Sequence, residues 1–306
     1  MTTQLKPDLL AHIGSTPLVE VEEGIYAKLE YLNPSGSIKA RIAKYMVERA
    51  EESGQLQPGM TIVEASSGNT GNALSMVAAV KGYKMIVVMP AGLSSERIAI
   101  SRGFGAEVRE VGDFHVNGAL EEARTLGAQP GYYFPGQFDS EANIEENREV
   151  FGPEILADLG VGRLPDAFVM GVGTGGTLIG VGQCLHAANP ACWLVGMEPD
   201  ESCTILCGEV HHHKIEGIAD GFVPGIFQRH REEVDELVAV TSLDAITEMY
   251  ALARRGFFVG PSSGANVVAA RRLKARHPEF ATIVTVLCDE GEKYLSEYYR
   301  IFGNQR

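Results

Sequence analysis

The chain has 306 residues and a formal net charge of −14 at pH 7; 45% of its residues are hydrophobic and 22% are charged. This length favours two lobes, and this composition is typical of a soluble globular enzyme. An acidic chain repels nucleic-acid phosphates and anionic membranes, so we expect neither as a partner.

The termini and the cysteines indicate a reducing compartment. No secretory signal is visible, because the apolar stretch 9–13 is too short for its core, and no apolar run is long enough to cross a bilayer. The five cysteines are odd in number, which without a secretory signal favours free thiols. The sequence therefore predicts unpaired cysteines and a cytoplasmic protein.

Short apolar runs alternate with amphipathic stretches along the chain. Nearly continuous runs rich in Val and Ile are typical of strands covered on both faces. They predict strands over residues 61–64, 85–89, 107–111, 167–171, 193–197, 237–240 and 282–287. Helical spacing predicts helices over residues 38–53, 71–80 and 94–103. Strand and helix in alternation predict an α/β fold with a mainly parallel sheet.

The first segment of chemical interest is 33–41, Asn-Pro-Ser-Gly-Ser-Ile-Lys-Ala-Arg, which leads into the first predicted helix. Ser37 is the candidate N-cap, and it places Lys39 in the first turn, where the helix dipole disfavours a cation. A lysine there is either solvated or has a lowered pKa. A neutral amine is the form that imine formation needs.

A second polar segment, 64–71, reads Glu-Ala-Ser-Ser-Gly-Asn-Thr-Gly and lies between a predicted strand and a predicted helix. Ser66, Ser67, Asn69 and Thr70 put polar side chains beside exposed amides, which suits a carboxylate ligand. The alternative is an ordinary polar cap in which these side chains satisfy free N–H groups.

Segment 171–177, Gly-Val-Gly-Thr-Gly-Gly-Thr, joins a predicted strand to a stretch that begins like a helix. Glycine lets backbone N–H groups crowd around an anion, and the helix N-terminus adds a favourable dipole. The segment therefore predicts a phosphate cradle, with a simple packing turn as the alternative. It is not a Walker loop, and the serine turn at 260–266 is not a hydrolase elbow.

These segments, in this order, resemble the cysteine synthase (O-acetylserine sulfhydrylase) and cystathionine β-synthase family, which are pyridoxal-phosphate enzymes of fold type II. The resemblance also includes residues 13–18, 221–224 and 288–296, so it covers nearly the whole chain. It implies two lobes, each a mainly parallel sheet flanked by helices. Residues 1–38 with 141–306 would form the larger cofactor-binding domain, and 39–140 the smaller, mobile substrate-binding domain.

The resemblance implies a role for each matching residue. Lys39 would form the Schiff base with pyridoxal 5′-phosphate, Asn69 would contact the cofactor's 3′-oxygen, and Ser262 would contact its pyridine nitrogen. The implied cofactor-binding residues are Lys39, Asn69, Gly173, Thr174, Gly175, Gly176, Thr177 and Ser262. The residues implied to bind the substrate carboxylate are Ser66, Ser67, Thr70 and Gln137.

The implied reaction makes L-cysteine from O-acetylserine or O-phosphoserine and sulfide, through an α-aminoacrylate intermediate, in a homodimer. Cystathionine β-synthase-like replacement, hydrogen sulfide release and 2,3-diaminopropionate synthesis stay open as alternatives. A serine or threonine dehydratase is disfavoured by the motifs Ser37-Ile-Lys39 and Ser67-Gly-Asn-Thr70. A non-catalytic, partner-binding homologue is disfavoured by the intact lysine.

Some positions depart from the family pattern. Ala40 stands where many members carry aspartate, and residues 148–151, Arg-Glu-Val-Phe, replace a small polar pair. We interpret them either as neutral changes on a solvated helix or as an altered acceptor pocket beside Phe151. The acidic run 139–149 predicts a solvated helix face. Cys203, Cys207 and the histidines at 211–213 lack the tight spacing of a zinc site, so we predict no metal.

Overall fold

The computed structural model describes residues 8–92, 95–112 and 116–299. The strands, in chain order, are β1 (Leu18–Glu22), β2 (Ile25–Leu29), β3 (Thr61–Ala65), β4 (Lys84–Pro90), β5 (Glu107–Val111), β6 (Tyr132–Tyr133), β7 (Ala167–Gly171), β8 (Trp193–Pro199), β9 (Glu236–Val240) and β10 (Ile283–Leu287). The α-helices are α1 (Lys39–Glu52), α2 (Asn69–Lys81), α3 (Ser95–Gly103), α4 (Val116–Gly127), α5 (Glu141–Glu146), α6 (Gly152–Leu159), α7 (Gly176–Ala188), α8 (Gly225–Arg229), α9 (Ser242–Arg254) and α10 (Pro261–Arg276). A π-helical turn, Asn147–Phe151, joins α5 to α6.

The strands form two sheets, which confirms the α/β prediction. The larger sheet has the order β1-β2-β10-β7-β8-β9, with β1 antiparallel to β2 and the other pairs parallel. The smaller sheet, β5-β4-β3-β6, is parallel throughout. Helices α9 and α10 contribute to the core on one face of the larger sheet, and α6 and α7 to the core on the other. Within the described ranges, no helix is long and apolar enough to cross a membrane.

All seven predicted strands are present, whereas β1, β2 and β6 were not predicted. Strand β2 carries Lys28, which is fully buried because its ammonium donates to the Thr16 carbonyl and to Asp158 at 2.7 Å. A lysine in such a place breaks the apolar pattern of a buried strand. Strand β6 has two residues, too few to show any periodicity.

The predicted N-cap of α1 is wrong by one residue. Ile38 occupies the N-cap position with helical backbone angles, and α1 begins at Lys39. Ser37 instead forms an isolated β-bridge with Asp289, while its hydroxyl accepts the Lys39 N–H at 3.3 Å. Pairing with a distant segment therefore decides where this helix starts. Of the predicted helix 94–103, Ser94 lies outside the described residues.

The prediction of free thiols is wrong for two cysteines. Cys203 and Cys207 form a disulfide, with their Cα atoms 5.2 Å apart. The Cys207 N–H donates to the Cys203 carbonyl at 2.8 Å, and this turn brings the two side chains to the same side. Cys184, Cys192 and Cys288 are free. In the part of the chain that the structure describes, no group of three His, Cys, Asp or Glu side chains is arranged to hold a metal ion.

Arg41 on α1 is buried and forms ion pairs with three carboxylates. Its guanidinium lies 2.6 Å from Glu30 and from Glu154, and 3.6 Å from Glu146. The Phe151 ring lies beneath it, 4.3 Å from the guanidinium carbon. A buried charge requires such compensation, because leaving it unpaired costs several kcal/mol. The cluster thereby ties α1 to the π-helical turn and α6.

Burial in this region corrects three expectations. Glu146 belongs to the acidic run predicted to be solvated, yet it is buried, and burial raises its pKa to about 8. Phe151 is fully buried in the core of the larger lobe, so it is neither a surface position nor part of an acceptor pocket. Ala40 is fully buried in the core of the smaller lobe. Arg148, by contrast, is partly exposed and contacts Gln183.

We predict that Arg41→Met lowers the free energy of unfolding by about 3–5 kcal/mol, because it leaves Glu30 buried without its cation. Urea unfolding of the purified protein measures this. Arg49→Met on the same helix is the matched control: Arg49 makes exposed pairs, including one with Glu52 at 3.3 Å, and should matter much less. Equal effects of the two substitutions would contradict the importance of the buried cluster.

Candidate active site

Polar loops from both sheets converge on Lys39, the first residue of α1. Two adjoining cavities share Lys39, Asn69, Thr174 and Gly217 in their walls. The cofactor-type residues lining the first are Lys39, Asn69, Gly173, Thr174, Gly175, Thr177 and Ser262. The carboxylate-type residues lining the second are Ser66, Ser67, Thr70 and Gln137. Gly176, the remaining predicted cofactor residue, lies between Gly175 and Thr177 and begins α7.

Lys39 lies where a cation is poorly solvated. Its side chain is half-buried, because part of it lines the cavities. Protein atoms nevertheless surround the amine, and this burial lowers its pKa. The carboxylates of Asp220 and Asp289 partly oppose that shift. The thiol of Cys288 stays protonated, because burial raises its pKa to about 12. The arrangement favours a neutral amine at Lys39, the nucleophilic form.

The turn before α7 requires glycine at three of its positions. Gly175 is the N-cap residue, with φ of +87°, and contributes no side chain to the helix N-terminus. A Cβ on Gly173 would lie 2.8 Å from the Gly217 carbonyl oxygen, and one on Gly176 only 2.0 Å from Asn143 Oδ1. Asn143 also donates to Thr174 Oγ1 at 3.0 Å, which steadies the turn. Glycine N–H groups and helix dipole together suit a phosphate.

Hydrogen bonds within the Ser66–Thr70 loop hold it in place. Ser66 acts as the polar cap that the sequence offered as an alternative. Its hydroxyl oxygen accepts the N–H groups of Gly68 and Gly71 at 3.1 and 3.0 Å, which leaves its proton free to be donated. Thr70 donates to Gln137 Oε1 at 2.6 Å, and Gln137 Nε2 donates to the Ala65 carbonyl at 2.9 Å. Gln137 is thereby fixed with its second amide proton available.

Asp220 was not predicted from the sequence, yet it lines the wall between the second cavity and a larger outer cavity of about 360 Å³. The Ser67 hydroxyl donates to its carboxylate at 3.4 Å. Burial raises the pKa of Asp220, and Lys39 partly opposes this. The segment around it has no periodicity that predicts burial; its only signal was proximity to the matching residues 221–224.

A second missed residue is Glu64, which lies under the carboxylate loop on β3. It is fully buried and accepts the backbone N–H groups of Ala65 at 2.9 Å and Gln137 at 3.1 Å. Burial raises its pKa to about 8, although those N–H groups partly oppose the shift. Glu64 therefore connects β3 to the backbone of Gln137. No sequence signal indicates this role, because only burial distinguishes Glu64 from an exposed glutamate.

The chemistry of these residues fits pyridoxal phosphate. The glycine turn lines the first cavity at the N-terminus of α7, which suits the phosphate, and the lysine nearby, whose pKa is lowered, suits the aldehyde. The family model described as pyridoxal-phosphate-dependent enzyme matches residues 9–289. Fold and site together define a pyridoxal-phosphate enzyme of fold type II.

Comparison with known proteins narrows this class. The chain is 41% identical to a cysteine synthase of Staphylococcus aureus, over 93% of this chain and 94% of the relative. It is 40% identical to the O-ureido-L-serine synthase of Streptomyces lavendulae, over 95% and 91%. It superposes on the crystal structure of a hydrogen sulfide-producing enzyme from Fusobacterium nucleatum with a TM-score of 0.89 and 37% identity, covering 94% of this chain and 90% of the other.

The chain therefore belongs to the cysteine synthase-like family of pyridoxal-phosphate-dependent β-replacement enzymes. The predicted family, fold type and cofactor are confirmed. Because the relatives carry different names, the identity of the substrates is a separate question.

We predict a pH-dependent contribution of Glu64 to stability. Its pKa of about 8 exceeds the ordinary value of 4.5, so the folded protein binds this proton more tightly than the unfolded chain. The resulting stabilisation is present below the unfolded pKa and is lost as pH rises through the folded one. Glu64→Gln, which stays neutral, should therefore lose less free energy of unfolding between about pH 5 and 8.

Urea unfolding at a series of pH values measures this difference. Glu146, whose pKa is also about 8, contributes equally to both proteins and cancels. Glu52→Gln changes an exposed carboxylate and should keep the wild-type slope. Parallel pH curves for the wild type and Glu64→Gln would show that Glu64 is ionised at neutral pH in the fold.

Proposed function

We propose that this enzyme makes L-cysteine and acetate from O-acetyl-L-serine and hydrosulfide, with O-phosphoserine as an alternative first substrate. The observation that carries the proposal is the position of Lys39 in the shared wall of the phosphate-type and carboxylate-type cavities. An amino acid whose carboxylate lies in the second cavity would have its α-carbon near this amine. The similarity to the cysteine synthase of Staphylococcus aureus supports the same assignment.

The proposed roles follow the cavities. Lys39 holds the cofactor covalently, Asn69 contacts its 3′-oxygen, and Ser262 contacts its pyridine nitrogen. The residues proposed to bind its phosphate are Gly173, Thr174, Gly175, Gly176 and Thr177. The residues proposed to bind the substrate carboxylate are Ser66, Ser67, Thr70 and Gln137.

Bound pyridoxal phosphate supplies an electron sink next to the α-carbon. The amine of Lys39, whose pKa is lowered, would take up the α-proton of the substrate. The hydroxyl of Ser262 is a neutral partner that does not enforce protonation of the pyridine nitrogen. Acetate departs as a stable anion without needing a proton, so the proposed reaction requires no further acid.

We also propose a domain arrangement for this reaction. Residues 39–140 would move as the smaller, substrate-binding domain over 1–38 and 141–306, excluding water from the cleft. In support, the smaller sheet uses strands between residues 61 and 133, and the larger sheet uses strands before and after them. A cytoplasmic homodimer completes the proposal, as the family resemblance implies.

Purified protein should absorb visible light through the Lys39–cofactor linkage, and O-acetylserine should change that spectrum before sulfide restores it. Cysteine formation from the two substrates is the direct assay. Lys39→Ala should abolish the visible band and retain cofactor only non-covalently. The cofactor assignment is wrong if borohydride reduction and peptide mapping label another lysine. The substrate assignment is wrong if serine or cysteine changes the spectrum and O-acetylserine does not.

A second candidate function is favoured by Asp220. A serine hydroxyl or a cysteine thiol leaves poorly as an anion and needs a proton, which a carboxyl group with a raised pKa supplies. Asp220 lies between the carboxylate cavity and an outer cavity of about 360 Å³, far larger than hydrosulfide requires. These features support β-replacement on serine or cysteine, with release of water or hydrogen sulfide, and a nucleophile bulkier than hydrosulfide.

Asp220→Asn distinguishes the two candidates. With O-acetylserine the turnover should change little, whereas with serine or cysteine it should fall by roughly 10²- to 10⁴-fold, the usual contribution of a general acid. The measurement is kcat/KM for each first substrate. Asp244→Asn, at an exposed carboxylate paired with Arg272, is the control. Equal losses with all substrates would mean that Asp220 only positions Ser67.

A further inference from the structure

The side-chain amide of Asn69 is engaged at both ends. Its oxygen accepts a hydrogen bond from the Lys293 ammonium at 3.0 Å, and its nitrogen donates to Asp289 Oδ2 at 2.7 Å. Both partners are almost fully buried, each 1% exposed. Neither belongs to the residues assigned above to the cofactor or the substrate. An asparagine amide has two N–H donors, so one remains after the bond to Asp289.

Lys293 can meet only the oxygen end of this amide, because an ammonium group has three donors and no acceptor. Its other two hydrogen bonds go to the carbonyls of Ser35 and Gly36, at 2.9 and 3.0 Å. All three donors are therefore used, and the carboxylate of Glu290 also lies 3.7 Å from the ammonium. The same ammonium thus holds Asn69 and the backbone that leads directly into Lys39.

Asp289 can meet only the nitrogen end, because a carboxylate accepts and does not donate. The same Oδ2 atom also accepts the Tyr294 hydroxyl at 2.5 Å, and burial keeps that phenol protonated by raising its pKa. A reversed Asn69 amide would set its amino group against the ammonium and its oxygen against the carboxylate. Both contacts would be repulsive in a buried site, so the two neighbours together enforce one orientation.

Asn69 lines both inner cavities together with Lys39. We infer that Lys293 and Asp289 are positioning residues that lock the Asn69 amide with its free N–H directed to the cofactor's 3′-oxygen. The inference rests on the proposed contact between Asn69 and that oxygen. A donor held there favours the ionised 3′-oxygen, whereas an amide free to rotate can present its own oxygen and favour the protonated form.

The test is a pH titration of the visible absorption of the holoenzyme, combined with the dissociation constant of pyridoxal phosphate. Asp289→Asn is the deciding variant, because an amide at this position accepts or donates and no longer repels the oxygen of a reversed Asn69 amide, while the bonds of Lys293 to Ser35 and Gly36 are kept. Asp289→Asn should raise the pKa of the chromophore, which is the Lys39–cofactor linkage. It should also weaken cofactor binding roughly tenfold, as losing one hydrogen bond to a charged group does.

Lys293→Met should have the same effect, and Lys293→Arg, which keeps donors, should restore part of it. Combined with Asn69→Ala, Asp289→Asn should add nothing to the change in chromophore pKa, because the amide it orients is gone. A purely structural role predicts additive changes instead. Tyr294→Phe, which removes a second bond to Asp289 without touching Asn69, is the matched control and should leave the chromophore pKa unchanged.

Two failures are distinguishable. If Asn69→Ala leaves the chromophore pKa unchanged, the proposed contact of Asn69 with the cofactor is wrong. If Asn69→Ala raises it but Asp289→Asn and Lys293→Met do not, the contact stands and the lock is overturned. Additive effects in the double variant would also overturn the lock.

Discussion

The burial of one lysine amine organises the chemistry of this protein. Lys39 begins a helix whose dipole disfavours its positive charge, and surrounding protein atoms withhold water from it. The amine is kept there because the helix it begins is fixed elsewhere: two residues further on, Arg41 is buried among Glu30, Glu146 and Glu154. The ion pairs of Arg41 therefore fix the position of Lys39, whose own charge is poorly compensated, beside the cavities where a neutral amine can react.

Loops from the two sheets line different cavities of the site. The larger sheet contributes the glycine turn before α7, which lines the first cavity. The smaller sheet contributes the Ser66–Thr70 loop, where side-chain and backbone bonds hold the donors in place. Glu64, which is buried, and Asp220, which is half-buried, lie beside the second loop and have raised pKa values. Such groups are concentrated at functional sites, because burial there serves proton transfer or positioning.

The seven predicted strands follow from continuous apolar runs, a local signal that tertiary contacts rarely reverse. Strand β2 was missed because Lys28 finds buried partners that only the folded chain provides. For the same reason Phe151 was assigned to a surface or an acceptor pocket: nothing near it in sequence reveals that Arg41 lies on its ring. The disulfide between Cys203 and Cys207 depends on a turn whose backbone path has no distinctive sequence pattern.

The sequence by itself determined the fold class, the family and many of the residues that line the inner cavities, because ordered motifs of glycine, serine and lysine carry that information locally. Only the tertiary structure decided which charges are buried and what each one contacts. Asp220, Glu64 and Lys293 look like ordinary surface residues in the sequence. Their pKa values and their hydrogen-bond partners depend on desolvation and on segments distant along the chain, and neither quantity exists until the chain has folded.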